Sequence, residues 1–400
     1  MVQPFLSHLR VLDFSWAAAG PYATELLGFM GAEILKVESA RRLDLARRGF
    51  YQQAEPNTST DFNDLNLNKR SLCINLSTQK GVGLIKRLVE HCDVVVENFR
   101  PGVMQRLGLD YDTLREINPR LIMASSSANG STGPESVYAG YAGIFNALSG
   151  VGHLTGYRDG PPTEMRISMD LRVGLSLSFA ILAALFARRR TGQGQHIDLS
   201  SREAITCLIG HSVLHYTMNG ESLHRQGNQH DSMAPHGCYR CQGDDRWVTI
   251  AVGNEPEWQA LCKAIGHPEW LQDSRFVDAH NRVNHRECLD ALVTAWTQQY
   301  TPNEVTTRLQ AAGVAAYPSM DSAMLAASEH LQARGVFAQV DHPCLGRQTV
   351  IGPPWRILGM PNQPDRPGPL LGEHTEVVLR DLLSMDEAEI RQLSDADVLE

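Results

Sequence analysis

The stretch Arg10-Val-Leu-Asp-Phe14-Ser-Trp-Ala-Ala-Ala-Gly-Pro21-Tyr-Ala-Thr-Glu-Leu-Leu-Gly-Phe-Met30-Gly31 decides the fold. Its first five residues are a short apolar run that reads as a buried strand, and the small residues that follow make a tight turn. Residues 22–30 then carry helical spacing. Pro21 suits the first helical position and Gly31 a left-handed stop. The N–H groups at the start of such a helix point into the turn and favour anions there. The turn holds three alanines and one glycine, so the Gly-x-Gly-x-x-Gly signature of a dinucleotide site is absent.

Further along, strands and helices alternate. Glu33-Ile-Leu-Lys-Val-Glu38 reads as a second strand, residues 66–75 lead into a third, and residues 78–91 form an amphipathic helix. Asp93-Val-Val-Val-Glu97 is a fourth strand, residues 121–125 a fifth and His196-Ile-Asp-Leu199 a sixth, with an apolar helix over 138–148. This alternation predicts an α/β fold with a parallel sheet covered by helices on both faces. Ligands of such sheets bind at the carboxyl ends of the strands. Glu97-Asn-Phe-Arg-Pro-Gly102 stands at one such end, with Pro101 opening the next helix. Residues 39–48 concentrate four arginines, either as solvated surface or as a phosphate-binding edge.

One carboxylate is set apart. Asp170 precedes an almost wholly apolar or small run over residues 173–187, which Arg188-Arg189-Arg190 ends. Fifteen residues fall short of a membrane span, so a buried helix is expected. Asp170 fits its N-cap, where a carboxylate accepts unpaired backbone N–H groups. A carboxylate held in that way stays ionised and oriented, as a nucleophile must be. Helix cap and nucleophile are both open readings of the residue alone.

The chain has 400 residues, 42% hydrophobic and 20% charged, enough for a large core and two or three domains. A net charge of -9 argues against a nucleic-acid surface. The N-terminal stretch has no charged region followed by an apolar core, and no membrane segment is apparent, so a cytoplasmic protein is expected. The eight scattered cysteines suit free thiols in a reducing compartment. Cys238 and Cys241, near His236, form the one Cys-x-x-Cys pair, and without a second pair at zinc spacing no metal is expected. The texture changes past residue 220, where a polar connector over 227–237 precedes a strand pair (238–241 and 246–252) and three helices. The expected organisation is a large domain over 1–205, a linker helix over 206–225, a small domain over 226–328, and a C-terminal segment, 329–400, that returns to the large domain.

Val11-Leu-Asp-Phe14 with Ala19-Gly-Pro21, Gly31-Ala-Glu-Ile-Leu-Lys-Val-Glu38, Asn68-Lys-Arg-Ser71, Glu97-Asn-Phe-Arg-Pro-Gly102 and Thr191-Gly-Gln-Gly-Gln195 together resemble the class III coenzyme A transferases. That superfamily holds the formyl-CoA:oxalate and carnitine CoA-transferases and also the alpha-methylacyl-CoA racemases. The resemblance implies a Rossmann-like large domain built from both ends of the chain, a smaller α/β domain between, and two subunits interlocked like chain links. A homodimer is implied, with a heterodimer with a paralogue left open.

The resemblance also implies a reaction. CoA passes from an acyl-CoA donor, with succinyl-CoA the preferred candidate, to a carboxylic acid through an aspartyl anhydride and an aspartyl-CoA thioester, and Asp170 matches the nucleophile. Ala18 and Ala19 match the turn along the coenzyme A, Ile74 and Asn75 the segment near the adenine, and Asn98 and Phe99 the pair flanking the pantetheine. Arg106 matches an arginine near the phosphates and Tyr138 a tyrosine near the active site. Where the family has an arginine after the second strand this chain has Ser39, leaving Arg41 or Arg42 to hold the phosphate; Ser77 and Ser136 replace expected lysines. The family's glycine-rich lid has no counterpart around residues 230–234. Racemisation is the nearest rival, but the family's histidine after Ala-Gly is Tyr141 here; a catalytically silent subunit is the other. Trp16, Tyr138, Tyr141 and Phe145 read either as core aromatics or as the lining of a pocket roomier than oxalate needs.

Overall fold

The computed structural model describes residues 3–50, 53–165, 168–360 and 363–400. Six parallel strands form the main sheet: β1 (Arg10–Asp13), β2 (Glu33–Glu38), β3 (Lys69–Cys73), β4 (Val94–Glu97), β5 (Ile122–Ser127) and β6 (Gln195–Ser200). Their order is β3-β2-β1-β4-β5-β6. The order reverses between β1 and β4, so the loops that leave these two neighbours diverge and open a crevice at their carboxyl ends.

Side chains alternate across a strand. Leu12, Leu35, Val95 and Met123 therefore enter one core, and Val11, Ile34, Val94, Val96, Ile122 and Ala124 the other. Both faces are covered, which is why the strands read as continuous apolar runs. On the second face lie α1 (Ala19–Phe29) and the long helix Ser168–Thr191, contributing Ala23, Leu27, Leu177, Ile181, Ala184 and Leu185. Their backbones approach closely at Gly174, where a Cβ would stand 2.5 Å from the Ala19 carbonyl oxygen.

Several expectations need correction. Pro21 is the third residue of α1, not the first. The long helix runs through its arginines to Thr191, because Arg188 turns back to pair with Asp93 at 2.8 Å. Asp170 is the third residue of the helix as described, inside the first turn instead of at the N-cap. Nor is the helix buried all round: Leu175, Phe179 and Phe186 are exposed. Two strand pairings were not anticipated, β9 (Ala315–Pro318) beside β8 (Trp247–Ala251) and the hairpin of β10 (Phe337–His342) with β11 (Gly346–Ile351).

The chain forms two units, one of residues 1–152, 164–222 and 331–400, the other of residues 153–163 and 223–330. The second unit has its own core, in which Tyr239, Val248, Ile250, Trp258, Phe276 and Trp296 pack behind an antiparallel sheet of β7 (His236–Arg240), β8 and β9. Residues 153–163, which the sequence reading left in the large domain, cluster with this unit. In the first unit the C-terminal segment covers the edge strand β3. The His374 N–H donates to the Ser71 carbonyl (3.0 Å), the Cys73 N–H to Thr375 Oγ1 (2.9 Å), and just beyond the strand the Asn75 N–H to the Val398 carbonyl (2.8 Å).

Candidate active site

Charged residues inside the apolar strands anchor the turn that follows β1. Asp13, Lys36, Glu38 and Lys69 are buried, and a buried charge requires partners. Lys69 Nζ lies 3.1 Å from Asp13 Oδ2, and Thr24 Oγ1 donates to the same oxygen at 2.6 Å. Burial opposes ionisation of Asp13, yet Lys69 and Lys36 hold its carboxyl below the usual carboxylate range. Lys36 Nζ contacts Asp44 Oδ2 at 3.1 Å and donates to the Ser15 carbonyl at 2.7 Å. Arg47 gives Glu38 two bonds of 2.7 Å, a bidentate pair.

This lattice holds the turn after β1. Asp44 Oδ1 accepts the Ala17 N–H at 2.9 Å and fixes Ala17 in a left-handed conformation (φ 61°) that alanine adopts only under constraint. Gly20 is required by closeness, since a Cβ there would fall 2.2 Å from Ser15 Cβ. Asn98, at the end of β4, clasps the same turn: its Oδ1 accepts the Trp16 N–H and its Nδ2 donates to the Trp16 carbonyl, both at 2.8 Å. The two loops of the crevice are thus tied to each other by paired hydrogen bonds.

Above them lies a cavity of about 760 Å³. Its walls come from the β1 turn (Trp16 to Ala19), the segment with Arg42, Arg48 and Phe50, the β4 turn (Asn98 to Pro101), Ser126 to Ala128 after β5, the loop of Tyr138 to Gly143, and Asp170. Asp170 is the one acid among the described lining residues, facing Arg42, Arg48 and Arg100 as cations. Burial pushes its carboxyl up to about 6, opposed by its own backbone N–H. First-turn N–H groups and the helix dipole favour the anion. At neutral pH Asp170 is thus ionised and more basic than an ordinary aspartate, which strengthens an oxygen nucleophile.

The structure brings Asp170, Ala18, Ala19, Arg42, Asn98, Phe99 and Tyr138 to this one cavity. Trp16, Tyr141 and Phe145 line it too, and Arg42 sits over the Trp16 ring at 5.1 Å. Four expected residues stand outside the lining. Ile74 is a buried core residue, and Asn75 Nδ2 is tied to the Asp397 carbonyl at 3.0 Å. Arg41 pairs with Asp397 (3.0 Å) and Glu400 (2.6 Å). Arg106 is exposed on the short helix Val103–Leu107. The arginine-rich stretch is therefore neither all surface nor one phosphate edge: Arg47 is buried in its pair, while Arg42 and Arg48 line the cavity. Nothing in the sequence singles out Arg100, Ser126 or Ser127, or the buried lattice, as parts of the site. Asp13 and Lys36 did carry a signal, since each is a charge within an apolar strand run.

The model of CoA-transferase family III matches residues 6–375. Human succinyl-CoA:glutarate CoA-transferase is 31% identical over 99% of this chain and 90% of its own length. The succinyl-CoA–D-citramalate CoA-transferase of Chloroflexus aurantiacus is 34% identical, covering 97% of this chain and 96% of that protein. Among solved structures, a CAIB/BAIF family protein from Brucella suis superposes with a TM-score of 0.85 at 31% identity, over 94% of this chain and 98% of that one.

Proposed function

The chain belongs to CoA-transferase family III and is a transferase acting on CoA thioesters, and from that premise we propose that Asp170 carries the acyl group between a donor thioester and an acceptor acid. The observation that carries the reading is the placement of one half-buried, ionisable carboxylate in a cavity otherwise lined by aromatic, small and cationic groups. In the first step Asp170 attacks the donor thioester carbonyl, the C–S bond breaks, and a mixed anhydride and CoA thiolate result. The thiolate attacks the aspartyl carbonyl, releasing the donor acid and leaving an aspartyl-CoA thioester. The acceptor carboxylate displaces the thiolate, and the thiolate then takes the acceptor acyl group and restores the Asp170 carboxylate. No step consumes a proton or water, so exclusion of water conserves the thioester energy.

Two relatives are named for succinyl-CoA as donor, with glutarate and D-citramalate as acceptors. The three arginines suit substrates with a second carboxylate, and the partly aromatic walls suit an acceptor larger than oxalate. The size of the cavity suits the acyl and pantetheine end of the thioester, with the nucleotide running outward past Arg42. Eight free thiols support a cytoplasmic setting, and the bare apolar side of the long helix supports the interlocked homodimer.

The test is a trap. The protein is incubated with succinyl-CoA and hydroxylamine, digested and mapped by mass spectrometry. The hydroxamate is expected on the peptide carrying Asp170 and nowhere else, and exchange is expected to vanish in Asp170→Ala. Normal exchange by that variant refutes the mechanism.

A further inference from the structure

One buried titratable group beside the cavity has no part in these steps. Glu97 ends β4, is 7% exposed, and its Oε2 accepts the Phe99 N–H at 2.8 Å. Its register partner on β5 is Ser125, so the two side chains stand next to each other on one face of the sheet. Ser125 Oγ lies 3.0 Å from Nε2 of His196 on β6. His196 is exposed and its ring stacks on Tyr111, with centroids 5.3 Å apart. Glu97, Ser125 and His196 thus stand on three adjacent strands, between the surface and the turn that carries Asn98 and Phe99. Asp198 faces both Glu97 and His196, and Asp112 faces His196 from the helix Tyr111–Ile117.

We propose that Glu97 is a positioning residue for the acyl-CoA site: its bond to the Phe99 N–H sets the turn that delivers Asn98 and Phe99 to the cavity wall, and Ser125 and His196 couple that turn to protons in solvent. The role rests on the transferase reading above. With Glu97 ionised, Ser125 donates to it and His196 Nε2–H donates to Ser125. With Glu97 neutral, the polarity reverses, Glu97 donating to Ser125 and Ser125 to an unprotonated Nε2. The Phe99 N–H has an acceptor in both states, but a carboxylate holds it more strongly than a neutral acid does. The turn, and through the Asn98 clasp both loops of the crevice, is therefore firmer in the ionised state. Burial pushes the Glu97 carboxyl up to about 7, against the neighbouring Ser125 hydroxyl and the Phe99 N–H. The change of state thus falls near neutrality, apart from that of Asp170.

The measurement is KM for succinyl-CoA and kcat, between pH 6 and pH 8, in the parent, Glu97→Gln and Ser125→Ala. In the parent, KM is expected to fall as pH rises through about 7. Glu97→Gln keeps an acceptor for Phe99 but cannot ionise, so its KM at pH 8 is expected to rise roughly 3- to 10-fold and to lose its pH dependence, with kcat at saturation within about twofold. Ser125→Ala is expected to displace the KM inflection. A Glu97→Gln enzyme that keeps the parent's KM profile, or that loses kcat at constant KM, overturns the role. If circular dichroism shows Glu97→Gln unfolded, Ser125→Ala decides, and an undisplaced inflection overturns it. A parent with no exchange activity refutes the transferase reading and this role together, whereas an active parent with an indifferent variant refutes the role alone.

Discussion

Burial holds the Asp170 carboxyl at about 6 against an ordinary 3.8, so the folded chain binds that proton more tightly than the unfolded chain does. The stabilising contribution is fully present below about 3.8 and is lost as pH rises through about 6. At neutral pH the chain therefore carries a destabilising anion, which the proposed chemistry requires. Asp170→Asn cannot ionise, and at pH 7.5 it is expected to be more stable than the parent by roughly 1–3 kcal/mol while losing exchange activity. Urea unfolding at pH 7.5 and at pH 3.5 checks this, because the difference should close at the lower pH. The acidic limb of kcat should fall near 6 for the same reason, as protonation removes the nucleophile.

Two glycines separate packing from propensity at the level of the helix. Gly174 lies one turn beyond Asp170, and a Cβ there would meet the Ala19 carbonyl at 2.5 Å, Tyr22 Cδ1 at 3.2 Å and the Ala23 nitrogen at 3.3 Å. Two of those atoms are backbone of α1, which has little freedom to yield. Gly174→Ala is expected to cost roughly 1–3 kcal/mol and to lower activity by pushing the helix that bears Asp170 away from α1. Gly83, on the helix Gln79–Val89, has nothing within 4 Å of its Cβ position. There the same substitution removes only backbone freedom, and Gly83→Ala is expected to stabilise by roughly 0.5–1 kcal/mol. Thermal melts of both variants check the pair, and equal signs would show that packing at Gly174 is looser than described.

For the whole molecule, the unpaired surface is the informative feature. Phe179 and Phe186 are 73% and 67% exposed along the long helix, and Val213, Leu214, Tyr216 and Met218 are exposed along the helix Gly210–Asn219. Monomers seldom leave so much apolar area bare. Light scattering is expected to give twice the mass of one chain, and Phe179→Arg with Phe186→Arg together is expected to shift it toward a single chain. A parent that scatters as a monomer at micromolar concentration removes the dimer from the proposal.

The strands and helices of the main sheet were legible in the sequence because burial on both faces leaves long apolar runs, broken by Gly and Pro where the backbone must turn. Asp170 stood out as a lone carboxylate before an apolar run, and Ala18, Ala19, Asn98 and Phe99 came from the resemblance to the class III coenzyme A transferases; the structure brings all five to one cavity. Tertiary structure alone decided the fate of the charges. Arg41, Arg42, Arg47 and Arg48 stand within eight residues of one another, yet one pairs with the C-terminal segment, one is buried on Glu38, and two line the cavity. Likewise, strand pairing sets Glu97 beside Ser125, and Ser125 bonds His196, so residues up to 99 positions apart meet on one sheet. Periodicity reports how a residue's own segment folds. The partner of a charge lies on another segment, and only the packed sheet brings the two together.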